Sequence, residues 1–335
     1  MFKKKQNIKI ALDWGSYSLK IVKLESINNR HIIRNFLFVN IASSKDVLSL
    51  IKDSLFKLEV GSLPISMSAS GHNVICRYIN FPLMNEEEFK EAIKFEAPKY
   101  IPFSFNDVYF DSIILKKDTS AKKMLVLIAA AKKDYIDQRI DVIKKVGFNV
   151  SLIDIDSLAI SNCFNFNFSK DASLKNKAVV LLNIGSSITN LNILEDRIAV
   201  LSRDIKIAGD DFTKRISSDL GCDFETAEGI KTQPDEEQIQ KIRPSLEAVA
   251  SLLAQEIRIS LDYYESQSVS TVDKLYLTGG SSILINLKEI LSRYLDMEVE
   301  IWDPLVGFEV SESINQQEIY SKSRYLAVSL GLALR

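Results

Sequence analysis

Apolar and polar positions along this chain spell out one set of elements twice. Residues 8–11 make a continuous apolar strand, a polar Gly/Ser turn follows, and residues 21–24 open a second strand. Residues 178–181 and 191–194 repeat that order around a second turn. A third β-like run comes next in each copy, at 31–39 and 198–202, and then a helical pattern, at 45–58 and 211–220. The turn and its flanks are close in spelling as well. Leu12-Asp13-Trp14-Gly15-Ser16-Tyr17-Ser18-Leu19-Lys20 recurs as Leu182-Asn183-Ile184-Gly185-Ser186-Ser187-Ile188-Thr189-Asn190. A small-residue hairpin turn lets backbone N–H groups approach an anion and point at it, the physical basis of a phosphate cradle. Two such turns on duplicated halves imply one phosphate chain clamped between two similar lobes.

The pattern changes between the copies. The first half closes with a strand at 64–69, and residues 74–80 then read as a strand broken by Phe81-Pro82. Residues 86–99 form an acidic-start helix with Asn85 as N-cap, closed by Pro98 and Pro102. Strands at 108–115 and 124–131 flank a polar turn at 116–123; a helix at 132–146 stops at Gly147, before a strand at 149–154. The expectation is an inserted β-α-β-β-α-β subdomain of split-βαβ type, residues 76–154. It holds no reactive constellation, so it reads as a partner surface. Residues 1–75 and 155–176, with a C-terminal helix at 320–335, make the first lobe; residues 177–319 make the second. In that second lobe a helix starts at 227–232 and is broken by Gln233-Pro234. A long helix at 244–267 carries a buried stripe of Leu246, Val249, Leu252, Leu253, Ile257 and Leu261. A strand at 275–277 ends in Thr278-Gly279-Gly280-Ser281-Ser282, joined to the N-terminus of a helix at 284–295. The apolar stretch 325–334 lacks the basic face of a membrane-surface helix and reads as core-docking.

Composition narrows the function classes. The 335 residues, 46% apolar and 26% charged, fit an ordinary globular chain of roughly two domains. A formal charge of −2 argues against nucleic acid as the main partner. Lys3, Lys4 and Lys5 form a small basic tip, either solvated or weakly drawn to anionic lipid. Cys76, Cys163 and Cys222 are scattered without metal or redox spacing, which fits a reducing cytosol. His31 and His72 are too few for a histidine-rich metal site. No window holds the roughly 18 uninterrupted apolar residues of a membrane span. Lys9 and Asp13 interrupt the first apolar run, so it is not a signal core.

Each candidate residue has a plain reading beside the chemical one. Asp13 ends a buried strand just before the first turn, where a carboxylate can hold Mg²⁺ through water beside phosphates. Alone it would be an ordinary turn-capping Asp; the second copy reverses that judgement. Lys20, five residues beyond Gly15, either aims a cation at phosphate oxygens or is an exposed strand lysine. Gly279 and Gly280 permit close backbone approach to a flat or anionic ligand, or simply make a βα turn. Their late position suits a resting place for a nucleotide base. Glu228 and Lys231 share a helix face suited to ribose hydroxyls or a base edge, or form a surface pair worth about 0.2–0.5 kcal/mol.

Taken together, these segments resemble the actin-like ATPase superfamily. Within it the chain is similar to the PilM family of type IV pilus assembly, itself related to the FtsA division family. Ile79-Asn80-Phe81-Pro82-Leu83-Met84 followed by Glu96-Ala97-Pro98-Lys99-Tyr100-Ile101-Pro102-Phe103 is similar to that family's inserted subdomain. Arg203-Asp204-Ile205-Lys206-Ile207-Ala208-Gly209-Asp210-Asp211 resembles the segment after its second phosphate loop. Residues 275–282, Asp303-Pro304 and the ending Leu330-Gly331-Leu332-Ala333-Leu334-Arg335 look like it too.

The resemblance implies an α/β, actin-like, duplicated ribonuclease-H-like fold of two lobes with ATP between them. It implies that Asp13, Gly15, Ser16, Tyr17, Ser18 and Lys20 hold phosphates and Mg²⁺ from one side, with Asp13 as the metal residue. Gly185, Ser186, Ser187, Thr189 and Gly209 close from the other. Glu228 and Lys231 then meet ribose or base, Gly279, Gly280 and Ser281 meet the adenosine, and Asp156 orients an attacking water. The implied partner is PilN, a single-span inner-membrane protein whose short cytoplasmic N-terminal peptide lies in a groove; membrane contact is then indirect, from the cytoplasmic side. Two departures matter. Asn183 stands where the superfamily usually has Asp, which implies slow or absent hydrolysis, and Ala208-Gly209 stands where the family often has Gly-Gly. The expected function is an ATP-binding assembly adaptor. Rival classes are a small-molecule kinase on the same fold and an FtsA-like filament former. The kinase needs a carboxylate base near a substrate hydroxyl, and no Asp-rich sugar-binding segment is present. The FtsA family usually carries a linker and an amphipathic helix after its core, which this sequence, ending at Arg335, does not show. Self-association surfaces are not legible in the sequence.

Overall fold

The computed structural model describes residues 7–335 apart from 43, 45 and 269. The lysines at 3–5 and the first residue of the helix expected at 45–58 lie outside the described residues. β1 (Asn7–Trp14), β2 (Ser18–Ile27) and β3 (Arg30–Asn40) form an antiparallel meander. α1 (Val47–Lys57) follows, capped by the Asp46 side chain on the Ser49 N–H, and β4 (Ile65–Ala69) then joins β1 in parallel.

The chain next leaves this sheet. β5 (Val74–Pro82), α2 (Glu86–Glu96), β6 (Val108–Asp118) and β7 (Lys123–Lys132) build a separate antiparallel sheet of order β5-β7-β6. α2 starts on a capping box in which Asn85 and Glu88 satisfy each other's backbone N–H. Ile79, Phe81, Phe89, Ile93, Val126 and Ile128 give this module its own core. The expected closing helix and strand of the insert do not belong to it. α3 (Lys133–Lys145) sends Ile143 into the core of the first sheet, and β8 (Val150–Ile155) pairs in parallel with β4. The reason is pairing: β4 offers an open edge, and β8 fills it in parallel. The insert is thus β-α-β-β.

α4 (Asp156–Asn167) leads into the second copy. β9 (Ala178–Ile184), β10 (Thr189–Glu195) and β11 (Ile198–Ile205) repeat the meander. α5 (Gly209–Leu220), α6 (Phe224–Thr232) and α7 (Glu236–Gln267) follow, then β12 (Val272–Thr278), α8 (Leu287–Leu295) and β13 (Glu298–Ile301). The orders β3-β2-β1-β4-β8 and β11-β10-β9-β12-β13 correspond strand for strand. β14 (Glu309–Val310) extends the first sheet beside β3, and α9 (Gln316–Lys322) and α10 (Ala327–Ala333) end the chain.

Three expectations are corrected here. α7 begins eight residues before Pro244, at Glu236, because Asp235 and Gln238 form a capping box there. Pro244 sits inside the helix; it forfeits one backbone bond, while Ile242, Ser245 and Leu246 around it are buried. Leu252 is not part of the buried stripe but 51% exposed, since it lies off the 3.6-residue face that Val249, Leu253 and Ile257 occupy. The Thr278–Ser282 turn runs into a 3₁₀ turn, Gly280–Ile283, before α8 starts at Leu287. Among the described residues, no helix is long and apolar enough to cross a membrane.

Both central sheets are covered on two faces, which is why their inner strands read as continuous apolar runs. In β9, Val180 and Leu182 face the helices of the second half. Val179 and Leu181 face the other way, into a core they share with Ala11, Val22 and Leu24 of the first sheet. α4 and α10 fill that shared core. There Gly331 of α10 meets the backbone of α4 so closely that a Cβ would stand 1.8 Å from Ala159 O. Helix propensity alone favours Ala over Gly by about 1 kcal/mol, but overpacking a core costs about 1–3 kcal/mol. Gly331→Ala is therefore expected to lower unfolding stability in urea by about 2 kcal/mol; a gain in stability would show that α4 and α10 are not in contact.

Candidate functional site at the paired hairpins

The two repeat turns share one bonding pattern. Gly15 N–H donates to Ser18 O at 3.1 Å, and Gly185 N–H donates to Ile188 O at 3.0 Å. At the base of each hairpin, a cross-strand pair faces the space between the lobes. In the first it is Asp13 opposite Lys20, in the second Asn183 opposite Asn190. Asp13 and Lys20 form a largely buried salt bridge of 2.9 Å, and Lys20 also reaches Ser18 O at 3.4 Å. Asn183 Nδ2 donates to Asn190 Oδ1 at 3.0 Å. The tips of the two turns meet across the cleft, with Ser16 Oγ and Ser187 Oγ 2.9 Å apart.

α5 starts at the second turn. Gly209 N–H donates to Gly185 O at 3.0 Å and Asp210 N–H to Ser186 O at 2.8 Å, while Ser186 Oγ donates to Asp210 at 2.6 Å. A Cβ on Gly209 would come within 2.4 Å of Ser281 Oγ and 3.0 Å of Gly185 O, so close backbone approach demands glycine here. Ala208 has an extended backbone at φ −152°. The alanine that stands in place of the first glycine of the pair is accommodated without strain.

Glu228 and Lys231 are not a surface pair. Lys231 is 6% exposed and binds Glu228 at 2.6 Å, Thr213 Oγ1 at 2.7 Å and Gly209 O at 3.1 Å. α6 packs this pair against α5, which sequence spacing within α6 could not reveal. Tyr17 faces the same pair, and its phenol is held above its ordinary pKa by burial first and then by the Glu228 charge. Across from it, the Tyr325 ring lies against Gly280 and meets Phe38 edge-on at 4.8 Å.

Asp156 opens α4 beside Asp13. Its Oδ1 is buried with no hydrogen-bond partner. Burial, then the Asp13 charge, pushes its carboxyl up to about 7, against hydrogen bonds from Ser68 and Ser70 and the charge of Lys20.

One cleft gathers nearly all the residues expected from sequence. Asp13, Gly15, Ser16, Tyr17, Ser18, Lys20, Asp156, Asn183, Gly185, Ser186, Ser187, Gly209, Glu228, Lys231, Gly279, Gly280 and Ser281 line it. Thr189 does not. Its fully buried hydroxyl donates to Ile207 O at 2.7 Å, because the alternation of β10 turns it away from the open side. Ser70, Asn190, Asp210 and Tyr325 line the cleft without having been expected. Asn190 was visible as the counterpart of Lys20 in the repeat, and Asp210 as the neighbour of Gly209. Ser70 and Tyr325 come from distant segments and carry no spacing signal. Among the described residues, no cluster of three or more His, Cys, Asp or Glu side chains could hold a metal by itself.

The family model described as "Type IV pilus assembly protein PilM" matches residues 7–335. The chain belongs to the PilM family. A solved PilM-PilN type IV pilus biogenesis complex is similar at 25% identity and TM-score 0.85, over 98% of each chain. Ethanolamine utilization protein EutJ from Carboxydothermus hydrogenoformans is similar at 14% identity and TM-score 0.55, over 98% of this chain and 89% of its own. MreB5 of Spiroplasma citri bound to ADP is similar at 12% identity and TM-score 0.51, over 98% of this chain and 95% of its own. The latter two likenesses concern the fold, which is actin-like, as the resemblance of the PilM-type segments implied.

The Asp156 environment has a measurable consequence. Its carboxyl has an ordinary value of 3.8 and rises to about 7 on folding. Between those values the folded chain keeps a proton that the unfolded chain releases, so stability falls as pH rises, and the penalty is complete above about pH 7. In ligand-free protein Asp156→Asn is expected to raise Tm relative to wild type above pH 7, the gain vanishing as pH falls to 4. A pH series of melting curves in EDTA checks this; an equal shift at all pH values would mean the carboxyl is not perturbed.

Proposed function

We propose that this chain is a nucleotide-binding assembly adaptor of a type IV pilus inner-membrane platform. It binds ATP with Mg²⁺ between the two hairpins, turns it over slowly or not at all, and engages the cytoplasmic N-terminal peptide of a PilN-like bitopic protein. The observation that carries the nucleotide reading is the meeting of two identically bonded glycine turns, Ser16 to Ser187 at 2.9 Å. Backbone N–H groups at such turns suit the two ends of one phosphate chain. Mg²⁺ favours one or two carboxylates plus water and phosphate oxygens over an all-protein cage. Asp13 fits that role, and the orphaned Oδ1 of Asp156 is a second acceptor at the same place. When bound, the metal offsets phosphate charge.

The remaining roles follow from placement. Lys20, now folded onto Asp13, would be free to meet phosphate oxygens if Asp13 held Mg²⁺. Glu228 and Lys231 form the polar wall for ribose, and Tyr325 over Gly280 forms the flat wall for the base. Asp156 orients water. Asn183 can accept a hydrogen bond from water as Asp does but cannot take a proton near neutral pH. Binding is thereby retained and turnover weakened.

The partner reading is supported by the 25% identity to the PilM-PilN complex across 98% of both chains. It is also supported by an insert that exposes Phe95, Tyr109 and Ile113, with Phe95 77% open to solvent. Membrane contact is then indirect, on the cytoplasmic side.

Saturating Mg·ATP, at about 100 times its Kd, is expected to stabilise the chain by about 2.7 kcal/mol, read as a rise in Tm. Asp13→Ala should remove most of the Mg²⁺-dependent part, and no shift in wild type would refute the nucleotide reading. A titration of the partner's cytoplasmic peptide into ATP-loaded protein should give a saturable heat; a flat titration sinks the adaptor reading. Single-turnover hydrolysis should be slow in wild type and rise in Asn183→Asp by about a hundredfold, the typical contribution of one positioned acid/base group. Fast wild-type turnover, unchanged in the variant, would make Asn183 a neutral turn residue.

A further inference from the structure

The two copies differ in chemistry at three aligned positions. In the first copy, Asp13 pairs with Lys20, and Lys20 pairs across the next strand with Phe38. In the second, Asn183 pairs with Asn190, and Asn190 pairs with Asp204. The carboxylate missing from position 183 therefore reappears two strands away, at a site where the first copy has an aromatic ring.

Hydrogen bonds join these three residues in one direction. Asn190 Nδ2 donates to Asp204 Oδ1 at 2.8 Å, and Asn183 Nδ2 donates to Asn190 Oδ1 at 3.0 Å. The Gly71 backbone N–H also faces the Asp204 carboxylate. A side-chain amide has a donor end and an acceptor end of nearly the same shape, whereas an ionised carboxylate only accepts. Asp204 thus compels Asn190 to present its NH₂ outward along β11 and its carbonyl back toward β9. That carbonyl in turn claims the NH₂ of Asn183. What Asn183 has left is its Oδ1, which sits beside Gly279, where an added Cβ would lie 2.7 Å away, at the wall of the nucleotide cleft.

We propose that Asp204 is a positioning residue for the nucleotide's metal: acting through Asn190, it locks the Asn183 amide with its carbonyl oxygen toward the cleft. Turned the other way, Asn183 would offer an NH₂ group to a cation or to its bound water, whose hydrogens need an acceptor. The first hairpin needs no such device, because both oxygens of Asp13 accept. The second hairpin keeps an acceptor at position 183 while its negative charge sits two strands away, on β11.

This inference rests on the nucleotide reading above, and one calorimetric series separates the two. ATP is titrated into the full chain with Mg²⁺ and again with EDTA, and the ratio of the two affinities is the metal's contribution. Asp204→Leu is expected to cut that ratio about tenfold, equivalent to about one hydrogen bond, with the EDTA affinity within about twofold of wild type. Asn183→Asp combined with Asp204→Leu should restore the ratio, since a carboxylate accepts whichever way it turns. Asp204→Ala removes the same acceptor and carries the same expectation if Asp204→Leu fails to fold by its melting curve. An unchanged ratio in a folded variant overturns the proposal and leaves the nucleotide reading standing. So does an equal loss in both titrations that the added Asn183→Asp does not repair, which marks a structural role. No ATP binding by wild type overturns both.

Discussion

The contact that sets the geometry of this protein is apolar and lies one helical turn from Asp156. α4 and α10 cross with Gly331 against Ala159, inside a core that takes side chains from both central sheets. Ala11, Val22 and Leu24 of the first sheet and Val179 and Leu181 of the second pack on the same helices. Each fully buried aliphatic side chain contributes about 1.5–3 kcal/mol, so this shared layer is a strong clamp on the distance between the sheets. Because β1–β2 and β9–β10 end in their turns at the same side of that layer, fixing the sheets fixes the turns. The 2.9 Å approach of Ser16 to Ser187 is a consequence of apolar packing, and a pair of exposed hydroxyls could not enforce it.

On that symmetric frame the chemistry is asymmetric. The first hairpin keeps a charged pair, Asp13 with Lys20, whose mutual neutralisation makes burial tolerable. The second keeps only amides at the equivalent places and moves its charge to Asp204. One side of the cleft can thus bring charge to a bound phosphate chain, while the other offers oriented dipoles. Asp156, with its raised pKa and unpaired oxygen, sits on the charged side. The proposed nucleotide binding with slow turnover rests on this asymmetry.

The insert stands apart in its core but not in its footing. Its apolar residues form their own cluster, yet Tyr78 of β5 shares a 2.9 Å hydrogen bond with Ser202 of β11. Ser202 donates onward to Asn192 of β10, the strand that begins at the second turn. The module that departs from the first sheet is therefore bonded to the second. Its exposed aromatic and aliphatic side chains lie outward, where a family built around assembly needs surface.

The amino-acid order alone settled whatever depends on neighbours in the chain. Strand, Gly/Ser turn and strand appear twice because period and turn chemistry are local, and the duplicated turns supplied ten of the seventeen expected residues that line the cleft; the other seven came from the late glycine turn, the Glu228–Lys231 spacing and the family resemblance. Asn85 as the N-cap of α2 was equally legible. Tertiary structure decided what depends on partners from elsewhere. It gave β8 to the first sheet, where it pairs in parallel with β4. It turned Thr189 inward, because the side of a strand that faces a core is fixed by packing rather than by letters. It drew Tyr325 to Gly280 across 45 residues and buried the Glu228–Lys231 pair against α5. It also aligned Asn183, Asn190 and Asp204 across three strands, where a hydrogen bond's direction depends on register, and register is a property of the assembled sheet.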